Sequence, residues 1–472
     1  MDKFKPDTKS QLMLLPPSVE DFVPNGHLAR LINEIVDTFD TQSIEEQYSS
    51  LGQKSYHPKV LLKLLIYGYS SGVVSGRKIA AKCESDTAYM YLSSMYRPDF
   101  RTINDFRKDN IEYFTECFKN VIKICKQFEM VKMGVIAVDG TKIRANASVR
   151  RTKDKNGYQL WLENIEEQIQ DIISHADQVN SEEEKEHGEL RGDELPEQLR
   201  EKQTLKAKIQ QALNQIKDDE KRNLTDCDAL LIKSHGEIKP NYNCQSGVTE
   251  DGIIVCAYVT NAASDKEQLL PLIEQAEQNT DETITNILAD SGYSSYENYE
   301  LLELLNKTAY IPDQEYALQS KRKQDPFDRS NFTYNAQDDK YVCPQGKDLT
   351  FSWVGAHKKN KQKAKVYISK SCSDCPVKNQ CTTGKNRHIY QELRESLRTK
   401  ARDLLDSQEG KKLYKKRMHT IEPVWGNLKH NKKIKMFSLR GIKKVNGEFL
   451  IHCICHNINK IHKQKQQIRI LA

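Results

Sequence analysis

At 472 residues the chain is longer than one hydrophobic core usually organises, and 38% apolar with 29% charged residues is the profile of a folded rather than a disordered protein. No apolar run approaches bilayer-crossing length, since the best, Val60 to Ile66, is interrupted by Lys63. MDKFKPDTKS lacks the apolar heart of an export signal, so a cytoplasmic location is expected rather than a secreted or membrane one. The net charge of +6 is unevenly spread. Residues 401–472 carry 17 Lys and Arg against 5 Asp and Glu, a net of +12 that leaves residues 1–400 at −6. Such a basic stretch suggests a polyanion-facing surface or, more simply, a solvated tail.

Residues 1–130 are expected to be all helical. In HPKVLLKLLIYGYSSG, Val60, Leu61, Leu64 and Leu65 share a helical face, and Gly68 and Gly72 mark the helix end. Two short helices should follow, in SGRKIAAKCESDTAYMYLSS and RPDFRTINDFRKDNIEYF, with Thr102 and Asp105 as a start signal. Arg77, Lys78, Arg97, Arg101 and Arg107 make this region compatible with a helix-turn-helix reader, and equally with a bundle bearing a charged exterior.

At Val131 the texture changes. VKMGVIAVDGTKIRANAS reads as a strand ended by an Asp139-Gly140 turn, and NYNCQSGVTEDGIIVCAYVTN as a hairpin turning at Glu250-Asp251-Gly252. An amphipathic helix in DKEQLLPLIEQAEQN follows, and then strand, helix and strand up to Ile311. This β-β-β-α-β-α-β order points to a mixed α/β layered core over 131–312 and 401–472. Two insertions interrupt it. In 158–222, Leu162, Ile165, Ile169, Ile172, Ala176 and Val179 form one seam and Leu205, Ile209, Ala212 and Ile216 another, the pattern of an antiparallel helical hairpin joined by polar 180–196. The second insertion, 313–400, holds the lysine-rich KKNKQKAK and clustered cysteines, and reads as a small separate module.

Three acids stand out. Asp139 closes the first strand in VDGTK, Asp290 closes the fourth in ILADSGY, and Glu422 lies in RMHTIEPVWGNLK. Acids past strand ends sit where a parallel sheet keeps its ligand crevice, although turns also favour Asp for local hydrogen bonding. Carboxylates converging from separate elements form a cage for hard divalent cations, and two such cations can drive phosphodiester chemistry. Tyr414, Arg417, Glu422 and Lys429 form a Y-x2-R-x4-E-x6-K string that spans an arc of about 140° on a continuous helix. Pro423 argues for a start or kink near Thr420, with Trp425 and Leu428 toward the core. A charged amphipathic helix is the plainer reading of the same string.

VDGTKIRANAS, NILADSGYSS and the Y-R-E-K string resemble the three blocks of the insertion-sequence DDE transposases, in the branch that carries the Y-R-E-K signature. SYHPKVLLKLLIYGYSSG with FRTINDFR, TDCDALLIKSHGEIKPNYNCQSGV and EFLIHCICHNINKI resemble that family's helical N-terminal domain, its lead into the second strand and its closing helix. The resemblance implies an α/β fold: an RNase H-like mixed sheet with an all-α N-terminal DNA-binding domain, a helical-hairpin insertion and a Cys-rich insertion. It implies Asp139, Asp290 and Glu422 as ligands of Mg²⁺ or Mn²⁺, and Tyr414, Arg417 and Lys429 as contacts to DNA. The partners implied are double-stranded DNA, as terminal inverted repeats and target, and a second copy of the chain in the synaptic complex. Asp226 and Asp228 are read as turn-forming acids outside the site. A catalytically silent, domesticated DNA-binding protein and a structure-selective nuclease on the same fold are the competing readings.

Of the 12 cysteines, Cys117, Cys125, Cys256 and Cys453 sit among apolar residues as core filler. Cys343, Cys372, Cys375 and Cys381 instead form C-x28-C-x2-C-x5-C in polar, Lys-bearing sequence. A structural Zn²⁺, free thiols and a redox pair are all compatible with that spacing.

Overall fold

The computed structural model describes residues 18–49, 54–187, 197–234, 236–319, 325–356 and 363–471. MDKFKPDTKS, the hairpin connection 188–196 and the greater part of KKNKQKAK lie outside them, as do the side chains of Ala176 and Val179. Among the described residues no helix is long and apolar enough to cross a membrane.

The central sheet is built from β1 (Val135–Arg144), β2 (Leu230–Ser234), β3 (Glu237–Thr249), β4 (Ile254–Thr260), β5 (Asn286–Leu288) and β6 (Thr308–Tyr310). Their order is β4-β3-β1-β5-β6, with β2 beside β3 on the same flank as β4. β3 pairs antiparallel with β1 from Ile136↔Thr249 to Arg144↔Asn241. β5 and β6 run parallel to β1, reached through helices Leu269–Thr280 and Tyr296–Leu304. Three antiparallel strands followed by two parallel ones give the RNase H-like arrangement. The expected Asp139-Gly140 turn is absent: β1 continues to Arg144 because β3, 13 residues long, pairs with it throughout. β5 follows β1 only over Val135 to Ala137. Asp139 therefore stands just past the parallel pairing, where β1 and β5 part company.

The N-terminal helices depart from expectation in detail. Helix Pro58–Ser70 continues through Gly68, where a side chain would meet the Val73 carbonyl at 2.7 Å and Ile79 at 2.8 Å. Gly68 is thus a close-packing position, and the turn falls at Gly72, whose φ is +77°. The stretch 76–109 forms three helices, Gly76–Ser85, Thr87–Leu92 and Phe100–Asp109, rather than two. Asp99, rather than Thr102, caps the last, accepting from the backbone N–H groups of Arg101 (2.5 Å) and Thr102 (3.2 Å).

Helices Lys155–His187 and Glu197–Gln215 pack through Ile165, Ile169, Ile209 and Ile216, a core separate from the main one. Residues 333–392 form a five-stranded antiparallel meander that the sequence did not suggest, with Tyr341, Leu349, Tyr367 and Ile389 as its centre.

Candidate active site

Three distant segments meet beside the end of β5. Asp139 projects from β1, and Asp290 follows β5, its carboxylate accepting the Gly292 N–H at 2.8 Å and so fixing the turn into Ser291–Tyr293. Helix Gln408–Thr420 brings in Arg417. Its Nη2 lies 3.2 Å from Asp139 Oδ1 and 3.9 Å from Asp290 Oδ2, so one guanidinium bridges both acids. Arg417 Nε is buried without a hydrogen-bond partner among the described residues.

Burial pushes the Asp139 carboxyl up to about 6, because desolvation and the nearby Asp290 charge outweigh the pull of Arg417. Tyr414, one turn before Arg417, also feels both aspartates; burial raises its phenol above the ordinary value. Burial lowers the Lys429 ammonium, against the attraction of Asp139. Tyr414, Arg417 and Lys429 are thus gathered around the acid pair.

Glu422 is placed differently. Pro423 has no N–H to continue the ladder, so the helix breaks at Ile421 and restarts as Glu422–Gly426. The string is therefore not one straight helix, and Asn427–Asn431 winds on as a widened π-type turn that carries Lys429. Trp425 and Leu428 are buried, Trp425 stacking on Phe449 at 6.1 Å, which turns Glu422 outward. It is exposed and has no polar partner among the described residues. Among those residues, no three or more His, Cys, Asp or Glu side chains are drawn together closely enough to hold a metal ion as they stand.

A third acid lies at the pair, and the sequence carried no sign of it. Asp265, in the loop after β4, accepts from Lys142 Nζ (3.1 Å), Asn243 Nδ2 (2.6 Å) and Gln245 Nε2 (2.7 Å). Tyr293 extends the network by donating its hydroxyl to Gln245 Oε1. A Cβ on Gly140 would stand 2.7 Å from Asp265 Oδ1, and one on Gly292 would be 2.9 Å from Asp290 Oδ1 and 3.3 Å from Asp265 Oδ2. Both glycines after the aspartates are needed for this close approach.

One residue leaves the DNA-facing set. Arg107 is buried, donating to the Tyr69 hydroxyl at 2.7 Å, so it is unavailable to DNA; Arg77, Lys78, Arg97 and Arg101 are exposed. Asp226 and Asp228 do more than form a turn. They accept from the backbone N–H groups of Gly441 (3.1 Å) and Ile442 (2.9 Å), anchoring the start of helix Ile442–Leu471.

Residues 342–462 match a family model described as the transposase DDE domain, and residues 17–109 match one described as transposase domain (DUF772). Together the two matches support an insertion-sequence DDE transposase. The transposase is thus a DNA-binding enzyme that cuts and joins strands, of a class that generally works with divalent metal ions. The DDE match holds Tyr414, Arg417, Glu422, Lys429 and the four clustered cysteines; Asp139 and Asp290 lie outside both matched segments. No curated protein matches the chain.

Proposed function

We infer that the transposase nicks DNA at the ends of its element and joins the freed 3′-hydroxyl to target DNA, with Asp139, Asp290 and Glu422 holding two divalent metal ions. The Arg417 bridge carries the reading: a buried cation drawn to Asp139 and Asp290 marks the pair as a place of unmet negative charge. The donors suit Mg²⁺ or Mn²⁺, being hard carboxylate oxygens. Glu422 enters as the third ligand because it is exposed, lacks a partner among the described residues and begins the helix that follows Arg417. When bound, the metal pair supplies an activated nucleophile and neutralises charge on the leaving oxygen.

The chain's own groups divide the remaining work. Asp139 must be ionised to act as a ligand. Arg417, now held by the aspartates, is free to turn to a DNA phosphate once their charge is met, and Lys429 offers a second cation to the same backbone. Tyr414, half-buried against the main core one turn before Arg417, is the third residue of the string assigned to DNA. Asp265 is a positioning residue, holding Lys142, Asn243 and Gln245 and lying close against Gly140 and Gly292. Two DNA ends must be brought together, which favours a homodimer in the synaptic complex.

The test is single-turnover nicking of the element's own end DNA with Mg²⁺ or Mn²⁺. D139N, D290N and E422Q should each lower the rate by at least about 100-fold while still binding that DNA. Wild-type nicking by any one variant removes that residue from the site. Nicking without joining would favour the nuclease reading, and binding without nicking a domesticated DNA-binding protein.

A further inference from the structure

Outside the carboxylate site, one group of reactive side chains has no role in strand cutting. Cys343, Cys372, Cys375 and Cys381 come from two separate segments, yet all four line one cavity of about 30 Å³, room for a single ion or water. Seven other cysteines are fully buried in the core, whereas these four are half-exposed.

We propose that Cys343, Cys372, Cys375 and Cys381 hold a structural Zn²⁺ that staples the meander of residues 333–392. The local backbone is already shaped for it. In Cys343-Pro344-Gln345-Gly346-Lys347 the chain folds back on itself, with Gly346 at φ +71° and its N–H on the Cys343 carbonyl at 2.8 Å. The fold-back aims the Lys347 N–H at Cys343 Sγ, 3.3 Å away. On the opposite side the Arg387 N–H points at Cys372 Sγ at 3.4 Å, and the Cys375 N–H bonds the Cys372 carbonyl at 3.3 Å, closing the C-x2-C turn.

Charge points the same way. Four thiolates around one Zn²⁺ leave two negative charges, after each thiol has released its proton to solvent. Lys347, Lys378 and Arg387 line the same cavity. The Arg387 guanidinium donates to the Cys381 carbonyl at 3.0 Å and to the Phe327 carbonyl at 3.1 Å, while its buried Nε has no partner. Phe327, Phe332 and Leu349 close the apolar side. Zn²⁺ would draw the four sulfurs together. The meander's packed apolar cluster holds five buried side chains among the described residues, so a metal cross-link between two of its loops adds to a small core.

Full-length protein purified without chelator and dialysed against a weak one should retain about one zinc per chain. The D139N/D290N double variant should retain the same amount, which separates this metal from any at the carboxylates. Cobalt(II)-grown protein should show thiolate-to-cobalt charge transfer and the visible bands of a tetrahedral site. The four cysteines should resist alkylation until a strong chelator strips the zinc, while exposed Cys227 reacts at once. C375S should lose the zinc, and the alkylation of the unaltered chain keeps the test decisive if that variant misfolds. A zinc-free chain whose four thiols alkylate as fast as Cys227, or are found as a Cys372–Cys375 disulfide, overturns the proposal. Metal content and thiol reactivity are read rather than strand cutting, so failure here leaves the carboxylate site standing.

Discussion

Asp139 is held in surroundings that oppose its ionisation. Desolvation and Asp290 raise its carboxyl to about 6, Arg417 pulls it down, and Asp265 adds a smaller push upward. Only the ionised form binds a divalent cation, so nicking at sub-saturating Mg²⁺ should fall as pH drops through about 6. The sign for each neighbour follows from its charge. R417Q removes a cation, making ionisation harder, and should move the midpoint up by about one pH unit. D265N removes an anion and leaves the Lys142 charge uncompensated, so the midpoint should move down by a similar or smaller amount. A purely structural role for Asp265 would lower the rate without moving the midpoint. A pH–rate series for the three proteins decides this, and midpoints that coincide would contradict the electrostatic account.

Elements were legible in the sequence where one physical rule acted alone. The Ile165, Ile169 and Ile209, Ile216 seams were visible because a two-helix contact needs only a 3-4 repeat, and the structure packs those residues together. The Glu250-Asp251-Gly252 turn was visible because φ of +77° at Gly252 calls for glycine. Asp139-Gly140 had the same look for another reason: its glycine makes room for Asp265 and Gln245 inside a continuing strand, and local sequence cannot tell the two uses apart. Asp265 itself was invisible, since nothing near it in the chain reports on partners 20 or more residues away. The hairpin's independence has a consequence that can be measured. Its base is the short pair Thr152↔Asn223 and Lys153↔Arg222, and its core is separate from the main one. Replacing residues 154–221 by an Asn-Gly turn should leave a folded chain whose melting temperature changes by no more than about 5 °C. Loss of cooperative melting would show that the hairpin supports the core after all.

Over the whole molecule, the N-terminal helices and the sheet share one buried core, with helix Ile442–Leu471 between them. That helix covers the open edge of β4. Asn457 exchanges two hydrogen bonds with the Ile254 backbone (2.9 and 2.8 Å), and Asn446 accepts the Val259 N–H at 2.9 Å. Its other side meets the N-terminal helices, where His452 packs edge-on to Tyr69 and burial lowers the imidazole to about 3, keeping it neutral. Lys432, just past the Lys429 turn, donates to the Ser70 carbonyl at 3.3 Å. The segment that carries Glu422 is therefore tied to the N-terminal helices as well as to the sheet, so both matched transposase regions support one site. Apolar periodicity foretold the helices, but these joins rest on single Asn, His and Lys side chains with no pattern to read.

The central claim, that Asp139, Asp290 and Glu422 share bound metal, is tested most directly by iron-directed cleavage of the protein itself. Fe²⁺ replacing Mg²⁺, with ascorbate and peroxide, generates hydroxyl radicals that cut the backbone beside the metal. The account predicts cuts at three places, next to residues 139, 290 and 422, all suppressed by excess Mg²⁺ and all lost together in D139N. Cuts at 139 and 290 without one at 422, or cuts that persist in D139N, would contradict it.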